Sequence, residues 1–125
     1  MRRRMSVAVG ALPLFLFSLC GGLAHAGDAS KGKEMYSLCG ACHPTDSSNG
    51  AGPGLAGIVG RKAGTAAGFR YSRAMKGSGI IWDGKNLDAY IGDPQTVVPG
   101  NVMPFSGIAD PGERADLVEY LKTLK

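Results

Sequence analysis

The sequence predicts an all-α domain, a few short helices joined by long irregular loops. Three observations lead there. Apolar residues recur at helical spacing behind acidic caps, no stretch alternates apolar and polar residues as a strand does, and Gly- and Pro-rich segments separate the periodic ones.

The first 26 residues stand outside that domain. Arg2, Arg3 and Arg4 form a basic start, Met5 to Ala24 is a nearly uncharged apolar run, and Ala24-His25-Ala26 places small residues where a signal peptidase reads them. This pattern predicts a signal peptide over 1–26, cut after Ala26, and one domain over 27–125. An apolar run of about 20 residues can also span a bilayer as an uncleaved anchor. Pro13 and the Ala-x-Ala ending favour removal, and bulky Leu19 argues against lipid attachment at Cys20.

Within the domain, Asp28 caps a first helix through Lys31 to Leu38, with Gly32 and Tyr36 on one face. Residues 44–68 read as loop, anchored by Leu55, Ile58 and Val59, and a short helical turn begins at Ser72. Asp83 caps a second helix carrying Leu87, Tyr90 and Ile91, which Gly92-Asp93-Pro94 ends. Residues 97–107 are irregular. The last helix has Asp110 as cap, Pro111 at its first position and Glu113 as in a capping box, and Leu117, Tyr120, Leu121 and Leu124 make its apolar face.

Composition narrows the function. Residues 27–125 hold 11 Lys and Arg against 10 Asp and Glu, so the basic balance of the full chain belongs to its start and nucleic acid is not expected as a partner. One histidine, His43, and two cysteines, Cys39 and Cys42, remain for metal or redox chemistry. Core material is scarce, and long loops in so small a domain call for a staple or an internal cofactor.

Cys39-Gly40-Ala41-Cys42-His43 is a C-x-x-C-H haem attachment sequence. Two thiols at this spacing reach two vinyl groups on one porphyrin edge, and the next residue sets an imidazole against the iron. A thioredoxin-like pair lacks its βαβ surroundings, a zinc site lacks a second ligand pair, and a plain disulfide leaves His43 without a role. For the sixth iron position the domain offers Met35, Met75 and Met103. Met35 lies on the attachment helix itself, and Met75 reads as packing. Met103 sits in a proline-bounded loop suited to holding a thioether, a ligand that favours ferrous iron and closes the site to other molecules.

The whole of residues 27–124 resembles the class I cytochromes c, the soluble mitochondrial kind and its bacterial periplasmic relatives. After C-x-x-C-H come Gly52-Pro53-Gly54-Leu55-Ala56-Gly57-Ile58-Val59-Gly60-Arg61-Lys62-Ala63-Gly64, Gly68-Phe69-Arg70-Tyr71, Gly79-Ile80-Ile81-Trp82 and Val98-Pro99-Gly100-Asn101-Val102-Met103-Pro104-Phe105, in the family's order. The resemblance implies the class I fold around one covalent haem c, with His43 and Met103 as iron ligands. It implies that the Pro53 carbonyl binds the His43 imidazole, and that Arg61, Tyr71 and Trp82 surround a haem propionate. It also implies that Tyr90 tunes the methionine, that Phe105 shields the haem edge, and that Gly32 and Tyr36 pack on Leu117 and Tyr120.

Three departures stand out. Gln95, Thr96 and Val102 occupy positions where animal and fungal members carry lysines, the loop from His43 to Pro53 is shortened, and Met75 replaces a common asparagine. The expectation is a monomeric, non-enzymatic one-electron carrier of the bacterial periplasm. It would exchange electrons with donor and acceptor proteins and make no stable membrane insertion after cleavage. Alternatives are a haem subunit dedicated to one dehydrogenase or oxidase, or a haem peroxidase or ligand sensor with an open sixth position.

Overall fold

The computed structural model describes residues 25–125, so most of the expected signal peptide lies outside the described residues. Six helices follow in order: α1 (Ala29–Met35), α2 (Ser37–Gly40), α3 (Arg73–Gly77), α4 (Gly84–Gly92), α5 (Pro94–Val97) and α6 (Pro111–Leu121). No strand forms among the described residues, where one antiparallel bridge joins Lys62 and Ile81.

The caps behave as expected. Asp28 accepts from the Ser30 and Lys31 amides, Ser72 from Met75, Asp83 from Asn86 and Asp110 from Glu113. Each cap satisfies amides that the first helical turn leaves unpaired, worth about 1 kcal/mol apiece. Two expectations need correction. The attachment helix is not continuous over 31–38: it starts at Ala29 and breaks at Tyr36, whose amide is shared between the Gly32 and Lys33 carbonyls. Gly92-Asp93-Pro94 also does more than end α4. Asp93 accepts from the Thr96 amide at 3.1 Å and hydroxyl at 2.7 Å, and so starts α5 with Pro94 as its first residue.

The crossing of α1 and α6 is the most extensive interhelical contact. Gly32 makes it possible, since a Cβ there would land on the Asp116 carbonyl of α6. Tyr36 meets Tyr120 edge-on at 5.2 Å, as expected for that pair, beside fully buried Leu117. Burying a leucine of this kind contributes about 2 kcal/mol. Helix α4 packs on α6 with Leu87, Tyr90 and Ile91 inward, and the Arg114 guanidinium reinforces the contact. It binds Asp88 at 2.9 Å and the Ile108 and Ala109 carbonyls at 2.9 and 2.8 Å. The loop from 41 to 72 hangs on this frame by backbone bonds, among them Gly60 N–H to the Trp82 carbonyl at 2.7 Å and Gly57 N–H to Leu124 at 3.0 Å.

Candidate haem site

Between the helical frame and the loops lies a cavity of about 380 Å³. All ten residues singled out from the sequence line it: Cys39, Cys42, His43, Pro53, Arg61, Tyr71, Trp82, Tyr90, Met103 and Phe105. Leu55, Ile58, Leu87, Leu117 and Leu121 make its wall apolar, and Arg61 is its only formally charged lining residue besides titratable His43.

The α2 turn delivers the attachment sequence. Cys39 is half-buried and Cys42 exposed, both as free thiols. Burial, and secondarily the neighbouring Cys42, push the Cys39 thiol above its ordinary range. The His43 Nδ1–H donates to the Pro53 carbonyl at 2.8 Å, which leaves the Nε2 lone pair for a metal. Gly52 lies directly against this ring, where a Cβ would overlap the imidazole. Tyr36 adds a tether that sequence reading missed, its hydroxyl donating to the His43 carbonyl at 2.6 Å. Burial, with smaller effects of Cys39 and Tyr120, pushes Tyr36 up to about 12, so it stays a neutral donor.

Met103 arrives from a loop about sixty residues further on. The Tyr90 hydroxyl faces its sulfur at 3.6 Å, and burial raises that hydroxyl to about 12. The loop is held by two residues whose roles the sequence did not reveal. Buried Asn101 accepts from the Met103 amide at 3.0 Å and donates to the Pro94 and Val98 carbonyls, both at 2.9 Å. Gln95 donates to the Asn101 carbonyl at 2.9 Å and accepts from the Gly100 amide at 3.2 Å. An asparagine after Pro-Gly is an Asx-turn signal that could have pointed to Asn101. Nothing local pointed to Gln95, whose partners lie five and six residues away.

The three expected propionate neighbours come together on the cavity wall. Arg61 spends two donors on the backbone, to Gly54 at 2.9 Å and Ala56 at 3.2 Å, pinning the loop that carries Pro53. The Tyr71 oxygen accepts from the Ala66 amide at 3.1 Å, which leaves its O–H to donate elsewhere. Trp82 meets Tyr90 edge-on at 5.0 Å. Phe105 lines the cavity half-buried.

This donor set fits an iron porphyrin: two thiols three positions apart, an oriented imidazole and a remote thioether share one apolar cavity. A zinc site does not fit, because no three His, Cys, Asp or Glu side chains converge among the described residues. No helix of the described residues is long and apolar enough to cross a membrane.

Comparison with known proteins agrees with this chemistry. The family described as Cytochrome c matches residues 29–125. A cytochrome c2 iso-2 of Magnetospirillum molischianum is 50% identical over 91 residues, spanning 72% of this chain and 94% of that protein. A cytochrome c2 of Rhodomicrobium vannielii is 46% identical, spanning 78% and 80%. The solved structure of cytochrome cH from Methylobacterium extorquens superposes with a TM-score of 0.75 at 46% identity, covering 78% of this chain and 99% of that one. The chain belongs to the class I cytochrome c family, a family of electron-transfer proteins, not enzymes, that hold haem c covalently through cysteines such as Cys39 and Cys42.

Proposed function

We propose that this chain is an exported one-electron carrier of the bacterial periplasm, working as a monomer between protein partners, with residues 1–26 removed on export. The observation that carries the reading is the convergence of His43, oriented through Pro53, and Met103, faced by Tyr90, on one apolar cavity beside Cys39 and Cys42. Haem, when bound, supplies an iron that gains or loses one electron. The residues do the rest. Cys39 and Cys42 would form the thioethers and His43 Nε2 would ligate the iron, while the Pro53 carbonyl fixes that imidazole's tautomer and raises its basicity. The Met103 sulfur would serve as the second iron ligand and leave no site open for oxygen or a substrate, which favours carriage over catalysis. Arg61, Tyr71 and Trp82, all on the cavity wall, would donate to a buried propionate. Phe105, which lines the cavity, would shield the haem edge.

The ferric absorption spectrum tests this reading. A weak far-red band that disappears in Met103→Ala is expected. High-spin iron that binds cyanide or carbon monoxide rapidly in the unaltered protein would replace the carrier by a ligand-binding function. Mass spectrometry of the exported chain checks both the cut after Ala26 and the added mass of one haem.

A further inference from the structure

On the side of α6 away from the cavity, one carboxylate is buried without a basic side chain to balance it. Asp116 lies in the middle of α6 with its side chain 9% exposed, and no lysine or arginine bonds to it among the described residues. Its two partners come from the start of the chain. The Asp28 amide donates to Asp116 Oδ1 at 2.7 Å, and the His25 Nε2–H donates to the same oxygen at 3.0 Å. The neighbouring cations serve other acids, Lys122 binding Glu119 at 2.5 Å and Arg114 binding Asp88 at 2.9 Å. Lys31 attracts Asp116 without bonding to it.

A cut after Ala26 changes this setting in two ways. It removes His25, and with it one of the two donors to a buried charge, which is costly to leave short of partners. It also turns the Gly27 nitrogen into a primary ammonium, protonated at neutral pH and carrying three donors. Successive backbone nitrogens lie at most about 3.7 Å apart, so the Asp28 bond places this ammonium within about 6.5 Å of Asp116 Oδ1. Gly27 is also pressed against α6, where a Cβ would overlap the Ala115 carbonyl and the Glu119 side chain. Only glycine lets the first residue of the cut chain come this close. Gly27 lines a groove of about 310 Å³ with Asp88, Ala115 and Glu119, and His25 and Ala26 form part of its wall. Their removal leaves room for the ammonium.

We infer that Asp116 is a binding site for a primary ammonium, filled in the exported chain by that chain's own new terminus at Gly27. This rests on the cut after Ala26 proposed above and says what the cut builds. In the uncut chain His25 holds the carboxylate. After the cut the Gly27 ammonium replaces it, and a charge-assisted contact to a buried carboxylate is stronger than a neutral one. The pairing ties down the start of α1, which as a chain end would otherwise fray, and secures its crossing with α6. The site is exacting about position. A cut one residue earlier carries the ammonium outward by a residue's length, and a cut one residue later removes the glycine that fits against Ala115.

The test uses the exported holoprotein, its terminus read by mass spectrometry, with an acetylating reagent as the probe. Asp116→Asn keeps an acceptor for the Asp28 amide and removes only the charge. Near neutral pH the Gly27 amine is expected to acetylate about tenfold faster in Asp116→Asn than in the unaltered protein, since an opposite charge at this range favours the protonated amine by about that factor. Acetylation at Gly27 alone should lower the guanidinium midpoint of the unaltered holoprotein and leave that of Asp116→Asn nearly unchanged. Equal acetylation rates in the two proteins overturn the proposal. So does an equal loss of midpoint in both, which assigns the effect to crowding against Ala115. A chain with one alanine inserted ahead of Gly27 gives the same test without altering α6. Its amine, moved outward, should acetylate about as fast as that of Asp116→Asn. An amine as slow there as in the unaltered protein overturns the proposal, even where Asp116→Asn fails to fold. An exported chain that begins elsewhere than at Gly27 rejects the cut after Ala26 itself, a different result from any of these.

Discussion

The crossing of α1 with α6 and the loop half of the cavity are built on different principles. At the crossing the chain packs against itself: Gly32 admits the α6 backbone, Tyr36 meets Tyr120, and Leu117 is fully buried. Across the cavity, loops from 44 to 72 and from 98 to 107 are held by backbone bonds and by a few buried side chains, Ile58, Ala63 and Val98 among them, and face one another over a space of about 380 Å³. One region carries its own core, and the other is shaped for a core that the polypeptide does not supply. The first should tolerate loss of the haem better than the second, while the second should tolerate changes at the crossing.

The largest expected effect comes from denying the chain its haem. Without haem the apolar walls around a space of about 380 Å³ lose their packing partner, a large loss for a small domain whose whole stability is on the order of 5–15 kcal/mol. Cys39→Ser/Cys42→Ser, which removes both attachment points, is therefore expected to abolish a cooperative thermal transition. Hydrogen exchange should show the amides of Gly60 and Ala63 unprotected, with residual protection confined to α1 and α6. A variant that melts cooperatively with the loop amides protected would erase the contrast between the regions.

The contrast also explains what could be read from sequence. The crossing was legible because packing leaves periodic marks, with Gly32 and Tyr36 four apart and Leu117, Tyr120 and Leu121 on one stripe. The site's ten residues were legible because motif order, C-x-x-C-H above all, encodes chemistry, and the cavity gathers all of them. The supports between them were not. Asp93-Pro94 can both stop one helix and start another, and here it does both, with Asp93 capping α5 through Thr96 and Pro94 buried. The break at Tyr36 accompanies a bond from its hydroxyl to the His43 carbonyl, which no local pattern announces. Gln95 reads as a missing lysine until its two bonds to the methionine loop are seen.

A smaller effect sharpens the same comparison from the other side. Gly32→Ala forces a Cβ onto the Asp116 carbonyl, and backbone does not yield as a side chain end does. The expected loss is about 3 kcal/mol, read as a lower guanidinium midpoint of the ferric holoprotein. The far-red band should persist in the folded variant, because Gly32 lies outside the cavity lining. Loss of that band under native conditions would mean that the crossing and the methionine loop are one mechanical unit.

The smallest effect concerns the loop alone. Gln95 is exposed, so its bonds to Asn101 and Gly100 compete with water and together contribute about 1 kcal/mol. Their contribution falls on the Met103 segment, because Asn101 in turn holds the Met103 amide. In Gln95→Ala the segment should open about fivefold more often, a factor that follows from that energy. The readout is the rate at which azide or imidazole displaces the Met103 sulfur from ferric iron, when that rate is limited by loop opening. Gln95→Glu keeps an acceptor for the Gly100 amide but loses the donor to Asn101, so its rate should fall between those of Gln95→Ala and the unaltered protein. The denaturation midpoint should barely move in either variant, since α1, α4 and α6 do not depend on these bonds. A rate unchanged in Gln95→Ala would show that Asn101, with three bonds of its own, suffices to hold the sulfur in place.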